Sequence, residues 1–226
     1  MKTILSSVFA AGLAFALFAE ESIPEGDVVN VGAEGRVAFV AGSESDMPFL
    51  TDVATNMGRI LTIDIGAERG AWTMATAADA FAKTKARVAV FVTEDASLPI
   101  SIVAPEARWG VVNKRGLKEG QLRTEVMRVA LLLLGASCSR YEGSAMYPTF
   151  TAADLEKNKG ALTVDTVMAV FQTLEKLGIK QYRQLCYRDA CYEGVAPAPK
   201  TEQERKIYEA VKKAVKEYEA ANGKKK

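Results

Sequence analysis

No histidine occurs anywhere in the 226-residue chain. That absence removes the commonest metal ligand and the commonest general base, and with them every Ser-His or Cys-His pair. An excess of one charge is missing too: 29 Lys and Arg face 28 Asp and Glu, so there is no bulk electrostatic case for nucleic acid. Only three cysteines are present. Cys186 and Cys191 stand close enough in sequence to pair across a short turn, and Cys138, left odd, is expected to be free and buried.

One long hydrophobic run is present. Met1-Lys2, the apolar stretch at 4–19 and then Glu20-Glu21 have the charged start, hydrophobic middle and small-residue exit of a secretory signal peptide. Residues 1–19 are therefore set aside from the fold, and the run is short for a spanning helix. Without Lys2 the remainder carries 28 basic and 28 acidic residues and is formally neutral. A secreted or periplasmic location follows as an expectation, with no membrane span after cleavage and disulfides permitted. With 49% hydrophobic and 25% charged residues, the rest has the composition of an ordinary globular domain. It is expected as one domain over 20–200, followed by an amphipathic helix and basic tail over 201–226.

Periodicity supplies the elements. After a polar leader through about Asn30, residues 36–41 read as a buried strand. A Gly-Ser-Glu-Ser-Asp turn then leads to a helix at 47–60, with Phe49, Leu50, Val53, Met57 and Ile60 at helical spacing. Strands are expected near 61–65 and at 87–93, with an alanine-rich helix at 73–84 between them. The run Val88-Ala-Val-Phe-Val92 is continuous and apolar, as in a central strand covered on both faces. This order predicts an α/β layer with right-handed crossovers. Two short strands at 98–103 and 109–113 lack a helix between them, so one is expected to be an antiparallel edge. The helix at 118–134 ends apolar all round at Gly135, its C-terminal cap. Helices at 152–158, 164–177 and 202–220 complete the set, with 181–199 mostly loop. Ile207, Val211 and Val215 form one face of the last helix; exposed, that stripe would suit a docked partner.

A zinc peptidase of the metzincin type carries two histidines one helical turn apart, a glutamate beside the first, a glycine that breaks the helix before a third ligand, and a later methionine turn. The segment Arg128-Val-Ala-Leu-Leu132-Leu-Leu-Gly135-Ala-Ser-Cys138, with Met146 eight residues on inside Ser144-Ala-Met-Tyr-Pro148, resembles that layout. The spacing is similar to the archaemetzincin family in particular, and residues 93–117 look like that family's edge-strand region. The resemblance covers about 87–159 and implies a zincin-like α/β fold with a mixed, mostly parallel sheet, an antiparallel edge strand and a buried active-site-type helix. Its chemistry does not carry over. The first ligand position holds Arg128, the base position Val129, the second ligand position Leu132 and the third Cys138. One candidate ligand in three does not hold zinc, and a guanidinium repels it. Ser139 and Ser144 stand where two cysteines of the family's second zinc site would fall.

No catalytic residue, metal or other cofactor is therefore expected, and the resemblance implies a degenerate peptidase whose relict cleft takes a peptide or protein. Two rivals stay open: a metal-independent hydrolase using carboxylates such as Glu94, Asp95 and Glu106, or Cys138, and a structural envelope or periplasmic component. Glu125 and Arg128, three apart, read as an ion pair. Trp109, Tyr141 and Tyr147 are candidates for lining a peptide groove. The stretch Val40-Ala-Gly-Ser-Glu-Ser-Asp-Met-Pro48 is similar to the phosphate-binding loop of the purine-biosynthesis carboxylase/mutase family, over fewer than twenty residues and without that family's histidine.

Overall fold

The computed structural model describes residues 23–222; the expected signal peptide and the terminal lysines fall outside them. Among the described residues no helix is long and apolar enough to cross a membrane. They divide into two compact units, one formed by 33–182 and the other by 23–32 with 183–222.

The larger unit is α/β. Its strands are β2 (Arg36–Ala41), β3 (Asp64–Arg69), β4 (Val88–Thr93), β5 (Ser101–Ala104) and β6 (Trp109–Asn113), in the order β3-β2-β4-β6-β5. The first four in that order run parallel, and β5 is the antiparallel edge on β6. Residues of β2 and β4 are buried almost without break, because helices lie on both sides. Val37, Phe39, Val88, Val90 and Val112 face the main core, made with α1 (Met47–Leu61) and α3 (Glu119–Leu133). Ala38, Val40, Ala89, Phe91 and Val111 face the opposite way, toward Trp72 and Phe81 of α2 (Ala77–Thr84) and its approach. This strict alternation is the two-residue period of a pleated strand.

The apolar stretch at 60–65 is divided differently from expectation. Leu61 lies one turn beyond Met57 on the buried face of α1, so the helix runs through it. Thr62 then turns left-handed (φ 55°), Ile63 N–H bonds back to Gly58 O, and β3 starts only at Asp64. Ile60 points to solvent.

α3 ends as its sequence requires. Gly135 adopts φ +87°; its N–H donates to Leu132 O (3.0 Å) and that of Ala136 to Leu131 O (2.9 Å), the paired bonds of a Schellman cap. A Cβ at Gly135 would overlap the Thr173 hydroxyl of α5 (Val164–Lys176), so glycine serves both the turn and the approach of a second helix. Between them lies the single turn α4 (Asp154–Lys157).

The smaller unit pairs β1 (Val28–Val31) antiparallel with β7 (Arg183–Cys186) and adds α6 (Tyr187–Tyr192) and α7 (Glu202–Asn222). Its core is Tyr187, Ile207 and Val211, with Val29, Cys191 and Val215 packed on them. The Tyr187 hydroxyl donates to Pro197 O at 2.9 Å, which satisfies its one polar atom. The stripe Ile207, Val211, Val215 is thus taken up inside this unit and offers no free docking face. The expected loop at 181–199 is corrected to a strand and a helix, and the polar leader contains β1. Neither strand is legible locally, because each exists by pairing with the other.

Candidate functional site

The centre of interest is where α3 passes beneath β5. Glu125 and Arg128 stand three apart on α3, on one face, and both are buried, at 0% and 5% exposure. The guanidinium grips the carboxylate through two atoms, Nε to Oε2 at 2.8 Å and Nη2 to Oε1 at 2.5 Å. Ser101 of β5 completes the group, donating to Glu125 Oε1 (2.5 Å) and accepting from Arg128 Nη2 (3.2 Å). A two-point fork of this kind is the strongest form of such a pair. Desolvation makes it a poor source of net stability but makes the loss of either partner costly. The ion pair expected from the sequence is present. Ser101 was not foreseen; its only signal is a hydroxyl inside an otherwise apolar strand.

The remaining residues of that helix point elsewhere. Val129 is fully buried and faces Gly110 of β6, where a Cβ would come within 2.7 Å of its methyl; this lets the helix close on the sheet. Leu132 is partly buried against the main core. Beyond the Schellman turn the chain reaches the surface, and Cys138 is exposed. The expectation of a buried Cys138 is thereby corrected: only Ala136 tucks under after Gly135, and 137–138 lie outside. Met146 is completely buried, its carbonyl accepting from Ser139 N–H at 2.9 Å. Asn158 fixes the same loop by donating to Ala145 O (2.9 Å). The methionine loop therefore lies against the segment that follows Gly135.

β5 has one paired and one open side. Asn113 N–H bonds to Ile100 O at 2.8 Å, and the register pairs Ile102 with Val111 and Ala104 with Trp109. In an antiparallel ladder alternate residues face the partner, so Ile102 and Ala104 bond to β6. Ser101 and Val103 turn their N–H and C=O groups to the free edge. Buried Asn113 stiffens the approach, its Nδ2 donating to Asp95 O and Leu98 O and its Oδ1 accepting from Asp95 N–H.

The other candidates do not assemble. Glu94 lies 3.8 Å from Lys114. Asp95 accepts from the Ser97 hydroxyl and backbone N–H, which hold its carboxyl below the usual carboxylate range; a stabilised anion is a poor general acid. Glu106 lies in the exposed turn after β5. Trp109 packs edge-on against Phe91 (84°, 6.4 Å between centroids) on the sheet face away from α3, so it lines no groove beside Ser101. Tyr141 is exposed and Tyr147 lies beneath Lys157. At the carboxyl ends of β2 and β4, the crevice where such sheets take ligands, Lys114 is bound to Asp46 at 2.8 Å, and Ser43 donates to the same carboxylate. A carboxylate so placed argues against a phosphate there. Cys186 and Cys191 are free thiols, and burial pushes both up in pKa. Cys186 closes β7 and Cys191 lies in α6, so most of a helix stands between them in place of the short turn expected.

No family model matches the chain, and no curated protein does. Solved structures do match. Archaemetzincin from Methanopyrus kandleri aligns with TM-score 0.52 and 10% identity, over 63% of this chain and 96% of that one. The chain has an archaemetzincin-like fold. A zinc-dependent peptidase from Methanocorpusculum labreanum aligns with TM-score 0.48 and 10% identity, over 60% of this chain and 100% of that one. The zinc such a fold implies does not fit the residues present. At the positions that the sequence resemblance assigns to the ligands stand a guanidinium already bound to a carboxylate, an isobutyl group and an exposed thiol, and among the described residues no cluster of three or more metal-ligating side chains occurs. A permanently charged guanidinium in the first of these positions repels a cation.

Proposed function

We propose that this is an exported, non-catalytic pseudo-peptidase that binds an extended segment of a peptide or protein along the free edge of β5. The observation that carries the reading is the Glu125-Arg128-Ser101 cluster. It fills the first ligand position with a closed ion pair, and it leaves the outward N–H and C=O groups of Ser101 and Val103 available. Pairing of an extended chain with an open strand edge is a common mode of peptide recognition, in which the ladder supplies affinity. Loss of the metal ligands removes the means of polarising a scissile carbonyl while leaving this edge intact.

The test joins three measurements on the purified mature protein. Elemental analysis is expected to find no stoichiometric zinc, a broad peptide-cleavage screen no turnover, and a screen of blocked extended peptides at least one binder. Chelator-sensitive cleavage would overturn the reading. Chelator-insensitive cleavage would favour the carboxylate or Cys138 hydrolase, and absence of any peptide binding would favour the structural envelope component.

A further inference from the structure

A groove of about 490 Å³ lies within the smaller unit, between the end of α6 and the middle of α7. Its apolar wall is what the Tyr187-Ile207 core leaves uncovered: Val211, at 2% exposure, with the half-buried Val215, Ala196 and Cys191 packed on that core. Lys212 and Lys216 also line the groove, four apart on α7 and so on one face of it. The ion pairs within α7 are Lys206 with Glu202 and Lys213 with Glu217; among the described residues Lys212 and Lys216 enter none, and Lys212 Nζ sits 5.8 Å from the centroid of the Tyr208 ring. The carboxylate in the lining, Glu193, is engaged by Arg183 at 2.7 Å. The charge left unbalanced along the groove is therefore positive. We propose that this groove binds a small amphiphilic acid, with an aliphatic chain against Val211 and Val215 and a carboxylate held by the Lys212 and Lys216 ammonium groups.

Size and charge together select this class. From Tyr208 to Lys216 the helix contributes about 12 Å of wall, too short a contact for the ~1,200 Å² that a stable protein interface buries. A volume of about 490 Å³ falls instead among small-molecule sites, which span ~300–1,000 Å³ and combine apolar walls with a few polar groups. An inorganic anion would leave the valine wall wet, and a neutral hydrocarbon would leave the two ammonium groups unused. A carboxylate on a short aliphatic chain satisfies both, because Lys side chains lay their methylene stems along apolar surface while the charged heads stay at the mouth. The site belongs to the smaller unit alone and does not depend on what β5 binds.

Cys191 in the groove wall supplies the reporter, and exposed Cys138 of the larger unit the control. The full mature protein is labelled with methyl methanethiosulfonate in rising concentrations of octanoate, kept below micelle formation, and the rate at each cysteine is read by peptide mass spectrometry. Octanoate is expected to slow labelling of Cys191 saturably and to leave Cys138 unchanged. Octanol and octyltrimethylammonium carry the same chain without the negative charge and are expected to need about three- to tenfold higher concentrations, the increment of two exposed charge contacts. Lys212→Gln/Lys216→Gln, at the surface and folded by circular dichroism, is expected to raise the half-saturating concentration of octanoate by the same factor while leaving that of octanol unmoved. Labelling of Cys191 that octanoate does not slow, equal slowing of Cys138, equal protection by octanol, or parent-like half-saturation in the double variant would each overturn the assignment.

Discussion

The buried pair gives the sharpest stability prediction. Arg128→Met leaves the Glu125 carboxylate at zero exposure with only the Ser101 hydroxyl as partner, and stranding a buried charge in this way costs ~3–5 kcal/mol. Glu125→Leu strands the guanidinium and is expected to cost a similar amount. The double variant Glu125→Leu/Arg128→Met removes both charges and fills the space with apolar groups of similar size, a replacement that is near neutral or stabilising. The double variant is thus predicted to be more stable than either single one. Each single variant should melt ~10 °C below the parent, at roughly 2–4 °C per kcal/mol for a unit of this size. Both tryptophans, Trp72 and Trp109, lie in the larger unit and on the sheet face away from the pair. Their fluorescence in a urea titration therefore reports unfolding of that unit without touching the substituted residues. A double variant that loses the sum of the two single losses would refute the argument, since additivity would mean that the two charges are not coupled.

Gly135→Val is expected to cost about 3 kcal/mol, because it forces a left-handed branched residue into the space of the Thr173 hydroxyl; Cys138→Ser, at the surface, should stay within ~0.5 kcal/mol by the same titration. Alkylation under denaturing conditions without reductant, read by mass spectrometry, should find three free thiols, as in the structure. Glu204 accepts from the backbone N–H groups of Lys200 and Thr201, and these bonds hold its carboxyl below the usual range. Its stabilisation is present above the ordinary glutamate value, about 4.3, and is lost as pH falls through the depressed one. Acid melts followed by circular dichroism should be less steep with pH in Glu204→Gln than in the parent, and identical slopes would count against the cap.

What was legible in the sequence follows from what is local. The apolar run of β4 reads correctly because a strand covered on both faces needs no polar residue. The end of α3 reads correctly because a glycine after an all-apolar turn has few other uses. Glu125 and Arg128 were visible as a spacing, whereas their burial was not, since nothing in an i, i+3 pair says whether it faces water or a strand. Ser101 joins them only because β5 folds back antiparallel over the helix, a long-range event. The mistaken burial of Cys138 came from extending the apolar character of 129–134 past a cap that sends the chain outward. The strand at 183–186 has no apolar alternation of its own, and only Tyr187, fully buried beside it, marks the segment as structured.

β1 finds its partner β7 near the far end of the chain, with Val28 set against Cys186. The smaller unit is therefore discontinuous, and its hairpin-like pair can close only after everything between has been synthesised. Closing so long a loop costs little more than closing one half its length, yet contacts of this separation are slow to form. Folding should proceed in two stages, with 33–182 able to organise first. A protease cut or stop codon just beyond Tyr182 would then leave β1 as an unpaired strand attached to an otherwise intact sheet, a ready seed for association between copies.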